Sequence, residues 1–171
     1  SKSYDWYEDF HEPDRRFGIR QCDFKNNYTP AGAMQSPAYW LLMISPQKTI
    51  NFILEFVNYC VQFYQSQAKD FDEIEEVLIF HKTLECHPVI SSRHLWQQYR
   101  CAIHIVIPDL FQSIHMALEK FLLQLNDQGR FDIVKHILTI ILEKSKSIST
   151  IAIVASIVCA NPSKYWSIAL L

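Results

Sequence analysis

Glycine is nearly missing from this chain: Gly18, Gly32 and Gly129 are the only three in 171 residues, where average usage gives about a dozen. Glycine supplies positive φ and close backbone approach, so its scarcity disfavours phosphate-cradling loops, nucleophile elbows and tight primed hairpins together. The motifs agree. No G-x-x-x-x-G-K-[ST], G-x-S-x-G, H-E-x-x-H or G-x-G-x-x-G occurs, which removes most nucleotide-binding and acyl-transfer chemistry. Any chemistry must come from side chains.

A basic surplus is also lacking. Net charge is −2, and Lys and Arg stand singly apart from Arg15-Arg16, so no electrostatic footprint points to nucleic acid. Ser1 to Phe10 is polar and aromatic rather than apolar, unlike a secretory leader. The longest apolar stretch, Ile148 to Ala160 (ISTIAIVASIVCA), has thirteen residues. As a helix it rises about 20 Å, short of the roughly 30 Å hydrocarbon core. A helix apolar on every side reads better as the central helix of a layered array than as a membrane span.

What is present builds a core. Hydrophobic residues make up 49% of the chain and charged residues 20%, a composition that folds. The five cysteines, at 22, 60, 86, 101 and 159, are odd in number and widely spaced. They read as buried reduced thiols packing as small hydrophobes, which implies a reducing cytoplasm.

Residues 1–35 differ from the rest. Tyr4, Trp6, Tyr7, Phe10, Phe17, Phe24 and Tyr28 alternate with polar residues, and Pro13, Gly18 and Pro30 interrupt any helical period. This is an irregular arm, whose aromatics either pin it to a helical body or anchor a partner. Trp6, Tyr7, Phe10 and Tyr28 are the candidate partner contacts.

From residue 36 helical periods dominate. Ser36-Pro37 and Ser45-Pro46 each place a capping hydroxyl before a proline suited to the first turn. Pro37 opens a short segment (AYWLLMI). Pro46 opens a helix to about Gln67, with Ile50, Ile53, Leu54, Val57, Val61 and Tyr64 on one face. Phe52, Phe56, Tyr59, Cys60 and Phe63 widen that face, so this helix is expected to be covered on two sides. Ser91 or Ser92 caps a helix to about Ile105 that buries Leu95, Trp96, Tyr99 and Ile103. Pro108 starts another, ended by Gly129, followed by helices from Phe131 to about Lys144, from Ser149 to Ala160 and from Pro162. Between Asp70 and His87 the period weakens; an acidic run leads into Val77-Leu-Ile-Phe80, which either pairs with Lys82 to Val89 as a strand or forms a short helix. The expected class is all-α: an irregular antiparallel helical array, solenoid-like or a bundle, with a small extended excursion near 74–89.

The candidate reactive groups are few. His81, Cys86, His87 and His94 lie close in sequence but lack the Cys-x-x-Cys or His-x-x-x-His clip that pre-organises zinc ligands. The acidic run lacks the central glycine and terminal glutamate of a calcium loop and reads as a solvated face. Cys101 and His104, three apart, suit a helical turn, as packing or as a thiol–imidazole pair. His115 and Glu119, four apart, read as a surface pair. No metal or cofactor is implied.

Three segments, Tyr28 to Asn58 (YTPAGAMQSPAYWLLMISPQKTINFILEFVN), Met116 to Leu123 (MALEKFLL) and Ser147 to Pro162 (SISTIAIVASIVCANP), resemble the helical region of large bacterial P-loop NTPases of the STAND type, including AVAST-like anti-phage defence proteins. Their shared features are helix-packing patterns. The resemblance implies a piece of the helical array that senses a target and drives assembly in such proteins. This chain departs from the family plan in carrying no Walker motif and no effector nuclease or protease, so no functional residue is carried over.

The expectation is therefore an arm over 1–35 and a helical domain over 36–171. The uncapped apolar end at Trp166 to Leu171 implies continuation beyond 171. The expected role is a non-catalytic interaction or sensor segment of a larger cytoplasmic bacterial defence NTPase, binding a protein partner or neighbouring domains, with no nucleic acid and no membrane. The rival is a small thiol enzyme or hydrolase using Cys101 or the His81–His94 region. A third class is a membrane-associated protein built on residues 148–171.

Overall fold

The computed structural model describes residues 12–19, 31–68, 73–81, 84–100 and 108–169. Within them the chain is mostly helical, with one two-stranded antiparallel sheet. The helices are α1 (Glu12–Arg16), α2 (Ala38–Ile44), α3 (Pro46–Gln67), α4 (Arg93–Arg100), α5 (Asp109–Asp127), α6 (Phe131–Lys144), α7 (Ile148–Ala160) and α8 (Pro162–Ala169). The strands β1 (Glu75–His81) and β2 (Leu84–Ser91) fall between α3 and α4.

The hydrophobic centre is built on α5 and α7. Helix α5 touches α2, α3, α4, α6 and α7, and α7 touches α4, α5, α6, α8 and β2. Between Phe111 and Leu122 of α5 only Met116 and Lys120 are exposed. The all-round apolar sequence of α7 has the same cause: Ile148 through Val154 are all buried, as are Ile157 and Val158. Among the described residues no helix is long and apolar enough to cross a membrane.

Helix α3 packs one stripe inward. Ile50, Ile53, Leu54, Val57, Val61 and Tyr64 are buried as their spacing predicts. The expectation that α3 is covered on two sides is not met, because Phe52 and Tyr59 are 59% and 62% exposed. At 100° per residue they stand about half a turn from the stripe centred on Ile50 and Val57. Pro46 opens α3 as expected, but Pro37 is the N-cap of α2 rather than its first residue, and neither preceding serine hydroxyl caps a helix. Ser45 precedes α3 and Pro46 occupies its first turn, yet the Ser45 hydroxyl caps nothing. Its carbonyl instead accepts from the Thr49 amide (3.0 Å) and the Thr49 hydroxyl (2.8 Å).

Helix ends follow local chemistry elsewhere. Ser92 Oγ accepts from the Leu95 amide at 3.2 Å, capping α4, and Leu95 is buried while Trp96, against expectation, is 52% exposed. Gly129, at φ +72, ends α5: its amide donates to the Asn126 carbonyl and Arg130 N donates to Leu125 O, both at 2.9 Å. This is the left-handed C-terminal closure that glycine permits.

Within the described residues the arm attaches at Phe17 and at Gly32, whose amide donates to Ser113 Oγ of α5 at 3.3 Å. Phe17 is fully buried, stacked on Tyr64 at a ring separation of 4.4 Å and tilted against Phe111 at 5.3 Å. Gly18 follows at φ +68 and turns the backbone off α1. Trp6, Tyr7, Phe10 and Tyr28 lie outside the described residues.

The excursion is a hairpin rather than a short helix. Glu75 pairs with Ser91 and Ile79 with His87, with an irregularity between Ile79 and His81. Strand β2 fastens it to the helical body: Val89 and Ile90 are buried, Ile90 N donates to Lys146 O at 2.9 Å, and Ile90 bridges Ser147 in parallel. Glu73, Glu75 and Glu76 are exposed, so this part of the acidic run is a solvated face.

Candidate functional site

Two places concentrate polar or unpartnered chemistry: a buried seam between α5 and α7, and the outer surface of α2.

The seam is carried by α5. Gln112, His115 and Glu119 recur at helical spacing and all three are buried. His115 Nδ1 lies 2.7 Å from the Phe111 carbonyl, one turn back. A carbonyl only accepts, so Nδ1 carries the proton and Nε2 is the acceptor. Nε2 takes a hydrogen bond from Ser149 Oγ at 3.0 Å. Ser149 Oγ in turn accepts from Ser147 Oγ at 2.7 Å, whose lone pair receives the Ser149 amide at 3.3 Å. The direction is consistent from end to end: Ser147, Ser149, His115, Phe111 carbonyl. Ser145 and Thr150 bond to one another and close the same turn around the Ser147 carbonyl.

Burial pushes the His115 imidazole down to about 4, against which its bond to the Phe111 carbonyl pulls upward. It is neutral at neutral pH, as its acceptor role toward Ser149 requires. The pair has the spacing of a base and a hydroxyl nucleophile. However, His115 is 1% exposed and Ser149 0%, so it ties helices rather than meets a substrate. One turn on, Glu119 accepts from Tyr99 Oη at 2.6 Å and from Ser156 Oγ. The expectation that His115 and Glu119 form a surface pair is corrected: both are buried, each bound to its own partners across a helix interface.

Within the His81–His94 group, His87 and His94 are bound to different partners. His87 Nε2 donates to the Ser145 carbonyl at 3.1 Å, whereas His94 Nδ1 lies 3.2 Å from Tyr64 Oη. Cys86 is exposed, and His81 ends β1 opposite Leu84. Among the described residues no three His, Cys, Asp or Glu side chains are placed to hold a metal. Cys101 and His104 lie outside the described residues. The reading of the cysteines as buried holds for Cys60, whose thiol burial pushes up to about 12. It fails for Cys86 and Cys159, which are exposed.

The second place is α2. Its seven residues, AYWLLMI, are all apolar or aromatic, and the helix uses one side of them. Ala38, Tyr39 and Leu42 turn inward, and Tyr39 Oη donates to Gln124 Oε1 at 2.6 Å. Trp40, Leu41, Met43 and Ile44 remain 55%, 45%, 48% and 80% exposed. Fully burying one such aliphatic side chain is worth about 1.5–3 kcal/mol, so this face forgoes considerable stabilisation. A cleft of about 200 Å³ lies on each flank. One, between α2, α3 and the start of α5, is lined by Leu41, Phe52, Phe56, Leu110 and Ile114. The other is lined by Met43, Pro46, Phe121, Leu125 and Ile133, with Arg130 at its rim. Sequence periodicity missed this surface because a short wholly apolar helix has no polar face to contrast with its buried one.

No protein-family model matches the chain, and no curated protein matches its sequence.

Proposed function

We propose that this chain is a non-catalytic helical interaction segment that docks a protein surface, a partner's or a neighbouring domain's, onto the outer face of α2. The observation that carries this reading is the exposure of Trp40, Leu41, Met43 and Ile44 side by side, continued onto α3 by Phe52. Exposed contiguous apolar surface of this kind marks interaction sites in soluble domains, and tryptophan and other aromatics supply much of the binding energy where they are buried. The resemblance to the helical regions of bacterial STAND-type defence NTPases supports the same class of role, as a sensor or assembly segment of a longer protein. The enzymatic alternative draws no support from His87, His94 and His115, which are bound to separate partners.

A photo-crosslinking residue at position 44 of the natural full-length protein, expressed in its own cell, tests this. Position 44 should give a discrete protein adduct or an intramolecular crosslink, while the same residue at exposed Glu143 should not. No adduct at position 44, or equal adducts at both, would overturn the docking role of α2.

A further inference from the structure

The hairpin leaves one strand edge open, and its register says which one. Ile90 N donates away from β1, to Lys146 O, so Glu76↔Ile90 is a non-hydrogen-bonded pair of the antiparallel ladder. Pair types alternate along the ladder, so Leu78↔Pro88 is non-hydrogen-bonded too, as Pro88, with no N–H to give β1, requires. Glu75, Val77 and Ile79 therefore direct their backbone groups to β2, while the N–H and C=O of Glu76 and Leu78 point to the far side of β1. Among the described residues no strand pairs there.

The two edges of the hairpin differ in kind. The outer edge of β2 lacks a donor at Pro88 and is occupied at Ile90 by Lys146 and Ser147. Strand β1 (EEVLIFH) carries no proline or lysine, the residues that usually protect an exposed edge. The extra residue of the irregularity falls on β2, where His87 to Leu84 is matched by Ile79 to His81. Val77 and Leu78, on opposite faces of the strand, are 36% and 54% exposed, so neither face of β1 is covered at its middle. An isolated two-stranded sheet is marginal in water, and added strands stabilise it.

Charge selects the occupant. Glu73, Glu75 and Glu76 are exposed at one end of β1, so a parallel copy would set like charges side by side. An antiparallel copy centred on Leu78, the middle residue of β1, does not. Leu78 then meets Leu78, Val77 meets Ile79, and Glu75 and Glu76 fall opposite positions 81 and 80, a histidine and a phenylalanine. The same register sets the outward N–H and C=O of Leu78 against those of its counterpart, which is the hydrogen-bonded pairing of an antiparallel ladder.

We propose that two copies of this chain pair antiparallel along β1, about a two-fold axis at Leu78, into one sheet of strand order β2–β1–β1–β2. Because the outer edge of β2 is taken in both copies, the sheet closes at the dimer and does not grow. Seven residues of strand make a small interface, so the dimer is reversible and concentration-dependent. This surface is separate from α2, and either role can fail without the other.

Sedimentation velocity of the full chain from micromolar to sub-millimolar concentration, with amide hydrogen exchange at the same concentrations, tests this. Wild type should pass from monomer to dimer. The Glu76 and Leu78 amides should become protected as it does, while those of Val77 and Ile79, bonded to β2, stay protected throughout. Leu78→Lys and Leu78→Glu should each weaken the dimer by about ten-fold, because like charges then meet at the axis. An equimolar mixture of the two variants should recover it. Wild type that stays monomeric, with Glu76 and Leu78 exchanging freely, would overturn the pairing. A dimer unmoved by either charge at position 78 would overturn it too, by seating the contact on another surface such as α2, and so would a mixture that fails to recover. Protection of the two amides only on adding an alternating Lys-Val peptide would overturn the second copy and assign the edge to a basic strand.

Discussion

His115 Nε2 accepts a hydrogen bond from Ser149 Oγ at 3.0 Å, so one side chain of α5 and one of α7 join the two most buried helices through a polar contact. Both groups lie out of water, and both are satisfied. A buried pair of this kind holds one helix register against another, because sliding either helix strands an imidazole and a hydroxyl.

Acid should therefore loosen the fold in a defined window. Burial holds His115 at about 4 in the folded chain, against 6.5 for a free imidazole. Between these values the unfolded chain takes up the proton and the folded chain does not, so stability is full above about 6.5 and falls as pH drops toward 4. The expected loss from this group is about 3 kcal/mol. Urea unfolding measured at pH 7, 6, 5 and 4 should show the decline, and His115→Gln should flatten it between pH 6.5 and 4. An unchanged slope in the variant would place the acid sensitivity elsewhere.

Two serines, both buried, should respond in opposite ways to loss of the hydroxyl. Ser149→Ala leaves His115 Nε2 buried without its donor, a cost of about 1–3 kcal/mol. Ser36→Ala removes a hydroxyl that has no partner among the described residues, so stability should hold or rise by up to about 1 kcal/mol. Thermal unfolding of the two variants side by side checks the contrast. A Ser36→Ala chain as unstable as Ser149→Ala would mean that the hydroxyl has a partner.

The two glycines at positive φ should also separate. At Gly129, φ +72, an added Cβ meets nothing within 4 Å, so Gly129→Ala should cost only the backbone strain, about 1 kcal/mol. At Gly18, φ +68, the Cβ would come within 3.0 Å of the Phe63 ring. Gly18→Ala should lose more, because the Phe63 ring must also shift. Equal melting temperatures for the two variants would refute the steric part of this difference.

Much of the helical layout was legible in the residues because their signals are local. The Ile50–Tyr64 stripe, the Phe131–Lys144 helix, the start at Pro162 and the glycine stop after α5 each follow from spacing or from one punctuating residue. The hairpin was half-legible: the weakened period left strand and helix both open, and cross-strand pairing with β2 chose strand. What misled was composition without direction. Phe52, Tyr59 and Trp96 are aromatic and were expected inside, yet they face outward because their angular positions on the helix, not their hydrophobicity, set where they point. Cys159 misled for the same reason, and Cys86 because it lies on the side of strand β2 that, like Pro88, stays exposed.

The candidate sites were less legible still. His115 and Glu119 show in the sequence only as two polar residues one turn apart, a pattern shared by exposed pairs. Their burial depends on α4 and α7 closing over α5, and the partners Ser149 and Tyr99 come from distant chain segments. The exposure of α2 depends likewise on which neighbours it has.

The sequence by itself determined that this chain builds helices with few backbone cradles, since three glycines and a steady helical period are properties of neighbouring residues. Only the tertiary structure decided which apolar residues stay in water and which polar ones leave it. Burial is set by the packing of segments far apart in the chain, and no local period encodes it.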